Sequence, residues 1–311
     1  MALAALKHDS VLPNETLEVL LHVNAKSVFD GTLGLGGHAQ LILNAYPDLE
    51  CYLGTDLDAQ HLTAARKNLE TYGERFVGVE SNFSEIGNLV TQHNLPRPLC
   101  ILLDLGVCSN HFDDETKGFS FRTDGPLHMA FSNKQTENCE ALINEETVQG
   151  LTNIMRDYGE EPSAWRIAQR INEARQHKAI KTTGELKDII EAAVAPKDRK
   201  KALARVFQAF RIATNDELGH LEKALNSSLD VMEAGDRIGV MSFHSLEDRI
   251  VKKFFRTHSR PVTEANNFSL HAEVAPADLK LITKKPIEAS SQEIAENPRS
   301  RSVKFRIAEK I

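Results

Sequence analysis

The chain has 311 residues, 41% hydrophobic and 26% charged, enough to bury a core in one large domain or two. Its formal net charge of −7 excludes a chain that is basic throughout, so any grip on nucleic acid must come from local basic clusters. No apolar run nears the roughly 20 residues that span a bilayer, the start MALAALKHDS lacks the basic region and length of a secretion signal, and Cys51, Cys100, Cys108 and Cys139 show no paired CxxC spacing, which argues against a zinc site or a disulfide framework and fits thiols in a reducing cytoplasm.

Taken in chain order, the first third alternates two kinds of pattern. SVFDG (27–31), CYLGTD (51–56), FVGVE (76–80) and ILLDLG (101–106) are short apolar runs bounded by turn residues or acids, the pattern of buried parallel strands. Between them AQLILNAY (39–46) and AQHLTAARKNLETY (59–72) carry apolar residues at helical spacing. Strand, helix, strand predicts right-handed crossovers. From about 112 to 214 the patterns are helical, with Asn138 and Thr182–Thr183 as helix starts. Strand chemistry returns with DRIGVMSF (236–243), LKLITKKPI (279–287) and SVKFRIAE (302–309), and the polar stretch 258–278 reads as a surface loop. The expected architecture is α/β: core residues 1–111, a helical insertion over 112–214, and the rest of the core over 215–311.

The chemistry gathers in FDGTLGLGGH (29–38) and LGTDLD (53–58). A strand ending in a glycine turn, then a helix, then a second strand ending in carboxylates is how an open parallel sheet builds a nucleoside pocket. Gly34, Gly36 and Gly37 let backbone pass close to a ligand, and Asp56 stands where a carboxylate accepts from both ribose hydroxyls. Three ligands use such pockets. A triphosphate wants lysine and a hydroxyl after the last glycine, whereas His38 and Ala39 follow here. NAD wants GxGxxG, whereas these glycines run G-x-G-G with Ala39 at the last position. S-adenosylmethionine carries no phosphate and can rest its amino-acid part on the turn; NAD stays open on the loop alone. Phe83, just after the third strand, can cover an adenine face, with Asn82 or Ser84 at its polar edge. Asp104 closes the fourth strand, in the crevice where open α/β sheets hold ligands.

With these residues in place, the chain resembles the bacterial 16S rRNA cytosine-N4 methyltransferase family (the RsmH/MraW type). The resemblance runs nearly end to end, through HDSVLPNETLEVL (8–20), FDGTLGLGGHAQLIL (29–43), LLDLGVCSN (102–110), KGFSFRTDGPL (117–127), YGEEPSAWRIAQRI (158–171), IKTTGEL (180–186), FQAFRIATNDEL (207–218), MSFHSLEDRIVKKFF (241–255) and ENPRSRSVKFRI (296–307). It implies a class I S-adenosylmethionine-dependent methyltransferase core, Rossmann-like, with an inserted all-helical substrate-recognition domain. The implied partner is 16S ribosomal RNA, in an assembled or partly assembled small subunit in the cytoplasm, and a homodimer is compatible with it.

Carried over by position, the donor site falls on Gly36, Gly37, His38, Asp56, Phe83 and Asp104. The family's last donor contact, a glutamine, is replaced by His111, which keeps one hydrogen bond but not the amide's paired donor and acceptor. The family's Pro-Leu-Asp-Met-Arg-Met-Asp run reads Pro126-Leu127-His128-Met129-Ala130-Phe131-Ser132, losing two acids and an arginine, and its His-Pro-Ala-Thr-Arg run reads Lys201-Ala202-Leu203-Ala204-Arg205. These departures bear on docking and turnover. They leave open a diverged donor-binding assembly factor without catalysis, or a methyltransferase with a DNA or protein acceptor. Asp104 is the carboxylate expected to orient the acceptor amine, unless it serves the donor alone. Phe119, Phe121 and Phe131 are candidates for a base-stacking platform, with a hydrophobic hinge as the competing role. His244 and Ser245 point either at the pocket mouth or into the cap of the following helix. PKDRKKALAR (196–205), Lys284–Lys285, Arg299, Arg301, Lys304 and Arg306 are candidates for phosphate contacts.

Overall fold

The computed structural model describes residues 10–21, 24–106, 114–132, 135, 138–263 and 274–311. In chain order its main elements are β1 (Ser27–Asp30), α1 (Gly37–Ala45), β2 (Cys51–Asp56), α2 (Ala59–Asn68), β3 (Phe76–Glu80), α3 (Ile86–Gln92), β4 (Leu99–Asp104), α4 (Cys139–Glu145), α5 (Val148–Asp157), α6 (Ala164–His177), α7 (Thr183–Ala193), α8 (Arg199–Asn215), α9 (Glu217–Val231), β5 (Arg237–Ser242), α10 (Ser245–His258), β6 (Leu279–Leu281) and β7 (Lys304–Lys310). They form two compact units: Met1–Gly106 with Gly219–Ile311, and Val107–Leu218.

The first unit is a seven-stranded sheet in the order β3-β2-β1-β4-β5-β7-β6. β1 to β5 run parallel, and β7 is antiparallel to both β5 and β6. The chain goes outward from β1 to β3, returns, and goes outward again through β4 and β5. That reversal between β1 and β4 is a topological switch point. With the one antiparallel strand inserted beside β5, the sheet has the class I methyltransferase topology that the resemblance implies. The apolar runs are continuous because both faces of the sheet are covered. Alternate residues sort to opposite sides: Val28, Tyr52, Cys100, Leu102 and Met241 pack with Ile42, Leu43, Leu62 and Ala65 of α1 and α2. Phe29, Leu53, Ile101, Leu103 and Val240 pack with Ile86, Leu89, Leu221, Leu225, Val251 and Phe255. Each large aliphatic side chain so buried stabilises by about 1.5–3 kcal/mol.

Two segments differ from their sequence patterns. The helix expected to reach 72 stops at Asn68 and tightens into a 3₁₀ stretch, Glu70–Arg75, in which Gly73 at φ 57 leaves helical geometry. The strand expected over 279–287 keeps its ladder only to Leu281. There the N–H groups of Ile282 and Thr283 both donate to Ile307 O, and the chain departs until Ile287 bridges Phe305. Within 258–278, expected to be loop, Val262–Thr263 and Val274–Ala275 form a short antiparallel ladder.

The second unit is helical, and its core is built by ordinary helix physics. Ile167, Ala168 and Ile171 of α6, Leu186 and Ile190 of α7, and Val206, Phe207 and Phe210 of α8 recur at three and four residue spacing and pack together. Asn138 Oδ1 accepts from Ala141 N at 3.0 Å to cap α4. Thr182 and Glu185 form a reciprocal capping box on α7. Among the described residues, no helix is long and apolar enough to cross a membrane.

Candidate functional site

The site candidates lie where β1, β2, β3 and β4 end, and strand register decides which of them meet. Asp30, closing β1, stands opposite Gly54 of β2 and Leu102 of β4. Asp56 and Asp104 each lie two residues farther along their strands, about 7 Å beyond Asp30 at the usual strand rise. Three carboxylates therefore flank one glycine turn at the switch point. The turn needs its glycines: Gly36 has φ 86, and a Cβ there would lie 2.9 Å from Leu69 Cδ1. At Gly31 a Cβ would come within 2.5 Å of Leu103 Cδ2 and 2.7 Å of Phe83 Cβ, so Phe83 sits directly against the exit of β1.

Asp56 organises the turn. Its Oδ2 accepts from Gly34 N at 2.9 Å and its Oδ1 from Asp58 N at 2.7 Å. Each oxygen keeps a further lone pair for a ligand hydroxyl. Asp58 caps α2 through Gln60 N, and His61 Nδ1 lies 3.8 Å from Asp56 Oδ2. Asp104 is held by its backbone: its N–H donates to Thr32 Oγ1 at 2.7 Å. Its carboxylate is thereby left to other partners. Oδ2 lies 3.5 Å from His38 Nε2, an ion-pair distance longer than a good hydrogen bond, and Oδ1 is buried with no hydrogen-bond partner. Both His38 ring nitrogens are likewise buried without one. Buried polar atoms are rarely left so unless a ligand or water completes them.

Sequence reasoning quoted Asp30 in the turn motif and gave it no role. In the structure it is 1% exposed, with Oδ2 accepting from Tyr52 Oη at 2.7 Å and Oδ1 from Thr32 N at 3.0 Å. Burial drives its pKa up, against the two hydrogen bonds. Burial alone would lower the pKa of His38, but the carboxylate of Asp104 at 3.5 Å, with the charge of Asp30 behind it, raises it on balance. The available signal was an acid closing an apolar strand before glycine; what it lacked was Tyr52, which only β2 pairing supplies.

Other expectations resolve differently. Asn82 caps the turn after β3, accepting from Ser84 N at 2.9 Å, so its carbonyl oxygen is engaged; Ser84 Oγ is buried without a partner. Gly37 and His38 open α1 directly behind Gly36. His111 and Cys108 lie outside the described residues. His244 is the N-cap of α10, with Glu247 reaching back to the N–H groups of Phe243 and His244. Of the aromatic candidates, Phe119 is buried and stacks on half-buried Phe131 at 5.4 Å, while half-buried Phe121 meets Phe207 edge-on at 5.3 Å, so all three pack on the core of the helical unit, the contact their hydrophobic-hinge role requires. Arg306 is corrected: it is buried and bonded to Asp248 at 2.7 and 3.3 Å, and no longer counts as a phosphate contact. The segment Leu127–Phe131, where the family's charges are replaced, is firmly built. Leu127 N donates to Lys181 O, Met129 N to Lys117 O, and Phe131 N to Asn215 Oδ1.

The arrangement suits one charge type. Among the described residues the basic side chains within ion-pair distance of Asp56 and Asp104 are histidines, not lysine or arginine. A crevice flanked by the carboxylates of Asp56 and Asp104 favours a positively charged ligand with hydroxyls over a polyphosphate.

Comparison with known proteins bears on the same residues. A match to the MraW methylase family spans residues 5–311. A Halothermothrix orenii protein named ribosomal RNA small subunit methyltransferase H is 40% identical over 309 residues, covering 98% of this chain and 99% of the relative. Proteins of that name from Heliobacterium modesticaldum (42% over 308 residues, 98% of each chain) and Protochlamydia amoebophila (40% over 309 residues, 98% and 97%) are similarly close.

Proposed function

This chain belongs to the MraW methylase family, and from that premise we propose that it transfers a methyl group from S-adenosylmethionine to the exocyclic N4 of a cytosine in the decoding region of small-subunit ribosomal RNA. The observation that carries the reading is the buried Oδ1 of Asp104, which has no hydrogen-bond partner, beside the His38 ring, whose nitrogens also make no hydrogen bond, at the switch point and next to the glycine turn.

When bound, the donor supplies a methyl carbon made electrophilic by its sulfonium. The residues of this chain do the rest. Asp56 accepts from the ribose hydroxyls with the lone pairs that Gly34 and Asp58 leave free. The turn Gly36–Gly37 and His38 hold the amino-acid part, whose ammonium suits the carboxylate-rich crevice. Phe83 covers the adenine. His111 stands in the sequence where the family's last donor contact falls. Cytosine N4 is a poor nucleophile because its lone pair is delocalised into the ring. Asp104 accepts a hydrogen bond from the N4 amino group, which aligns that lone pair with the methyl and favours pyramidal nitrogen as positive charge develops. With the donor bound, its sulfur would keep the electron pair of the bond to the methyl, and the proton that N4 then sheds would leave along its hydrogen bond to the Asp104 carboxylate and on to water. No covalent step through a cysteine is needed.

The substrate is 16S RNA within an assembled or partly assembled small subunit, which places the reaction in the cytoplasm. The test is to incubate the purified protein with labelled S-adenosylmethionine and small subunits from a strain lacking this activity, then locate the methyl by mass spectrometry. A methyl on cytosine N4 of the small-subunit RNA is the expected result. Donor binding without transfer at any assembly stage would overturn the reading in favour of a silent assembly factor or another acceptor.

A further inference from the structure

The helical unit packs Phe119, Phe121 and Phe131 on its core and leaves a more exposed aromatic side chain in water. Trp165, the sole tryptophan of the chain, is 51% exposed on the first turn of α6. Single exposed hydrophobic residues are common and need no function. The surroundings of this one are more particular. Arg166, next in the chain and also exposed, donates from Nη1 to Ala193 O at 3.2 Å, fixing the start of α6 to the end of α7. Four residues before Trp165, buried Glu161 holds Arg205 of α8 at 3.6 Å. Gln208 of α8 donates to Tyr158 O at 3.3 Å, and a Cβ on Gly159 would lie 2.7 Å from Arg205 O, so the approach to α6 rests on α8.

These contacts hold the start of α6, which carries Trp165, at the end of α7, from which the chain turns into α8. That turn carries the run Pro196-Lys197-Asp198-Arg199-Lys200-Lys201. Arg199 is tied back to α7, by Nε to Glu191 O at 3.2 Å and by Nη1 to the Glu191 carboxylate at 3.9 Å. Lys197, Lys200 and Lys201 are exposed, and among the described residues no ion pair engages them. The start of α6 and the adjoining turn from α7 into α8 thus carry an exposed indole, two anchored guanidinium groups and three exposed ammonium groups.

We propose that Trp165, with Lys197, Lys200 and Lys201, forms a docking surface for single-stranded RNA, one base stacking on the indole while the lysines meet flanking phosphates. Aromatic stacking combined with a basic track is how proteins hold unpaired strands whatever their sequence. The charge complementarity is local, which reconciles an RNA partner with a net-acidic chain. The inference rests on the proposed RNA substrate and assigns part of its grip to one face of the helical unit.

A sole tryptophan makes the test direct, because all indole emission of the full-length protein comes from this residue. A single-stranded RNA dodecamer should quench it, with affinity falling as salt rises. Trp165→Ala should weaken binding of a labelled dodecamer by about five- to one-hundred-fold, and Trp165→Phe should retain most of it. Replacing Lys197, Lys200 and Lys201 together by alanine should flatten the slope of log affinity against log salt by about 2. Emission unchanged at saturating dodecamer, or equal affinity in Trp165→Ala, would overturn the surface. So would equal quenching by inorganic polyphosphate or by polyglutamate, which would make the face a general anion or acidic-protein contact. Methyl transfer to small subunits, measured in parallel, separates the two ideas. Transfer by the wild type, undiminished in Trp165→Ala and without quenching, overturns the surface alone; quenching with no transfer by the wild type overturns the proposed reaction alone.

Discussion

The strand ends of the first unit and the helices of the second bury different things. Around the glycine turn, Asp30, His38, Asp58 and His61 are all buried, and an oxygen of each of the two acids is held by a backbone N–H group. In the helical unit the interior is Leu, Ile, Val and Phe, and most cations remain on the surface. A buried polar cluster is costly to assemble and justified only by what it binds. An apolar helical core is cheap to specify and says nothing about its ligand. Chemistry should therefore fail on point changes at the strand ends, while the helical unit should lose stability to core changes and grip to surface ones.

The sharpest break would come at Asp104. Asp104→Ala keeps the backbone bond to Thr32, so it should fold normally, yet lower methyl transfer to small subunits by at least about 100-fold, within the range for a positioned proton acceptor. Near-normal turnover in that variant would sink both the orienting and the donor-contact roles. Next, Phe210→Ala removes a fully buried ring from the helical core and should cost about 3–5 kcal/mol. Calorimetry should show it, while S-adenosylmethionine binding below the transition stays within about twofold of wild type. Donor affinity that collapsed with the helical core would erase the distinction between the units.

Asp56→Asn should loosen donor binding by about 10- to 100-fold. It weakens charge-assisted bonds worth roughly 1.5–3 kcal/mol each, and titration calorimetry reads the change without any acceptor. The smallest effect concerns His38, whose pKa lies above its ordinary 6.5 in the fold despite its burial. A raised histidine stabilises the fold fully below its unfolded pKa and loses that contribution as pH rises through the folded value. The urea midpoint of wild type relative to His38→Gln should therefore be most favourable below about pH 6 and decline as the solution becomes alkaline. A gap that widened with pH would mean that His38 is held neutral.

How much could be read in advance follows the same division. The glycine turn was legible because its constraint is local. Gly36 must adopt a positive φ, and an acid closing each of two strands lies at a fixed distance from the turn once the strands pair. Helix starts at Asn138 and Thr182 were legible because capping is decided within three residues. Asp30 was visible as a letter but not as a buried acid, because its partner Tyr52 lies 22 residues away on another strand. Arg306 looked like a surface cation until Asp248, 58 residues distant, enclosed it.

The sequence by itself determined the alternation of strands and helices, the helical character of the middle third, the turn and carboxylates at 29–58, and, through the resemblance, the family. Only the tertiary structure decided which aromatics are interior. Phe119, Phe121, Phe131 and Trp165 are all plausible stacking residues in one dimension, and helical spacing alone does not say which faces meet. Packing buries Phe119, holds Phe121 and Phe131 half-buried against the helical core, and leaves Trp165 in water. The physical reason is range: backbone dihedrals and caps are settled among neighbours in the chain, whereas burial is settled by whatever distant segment arrives to exclude the solvent.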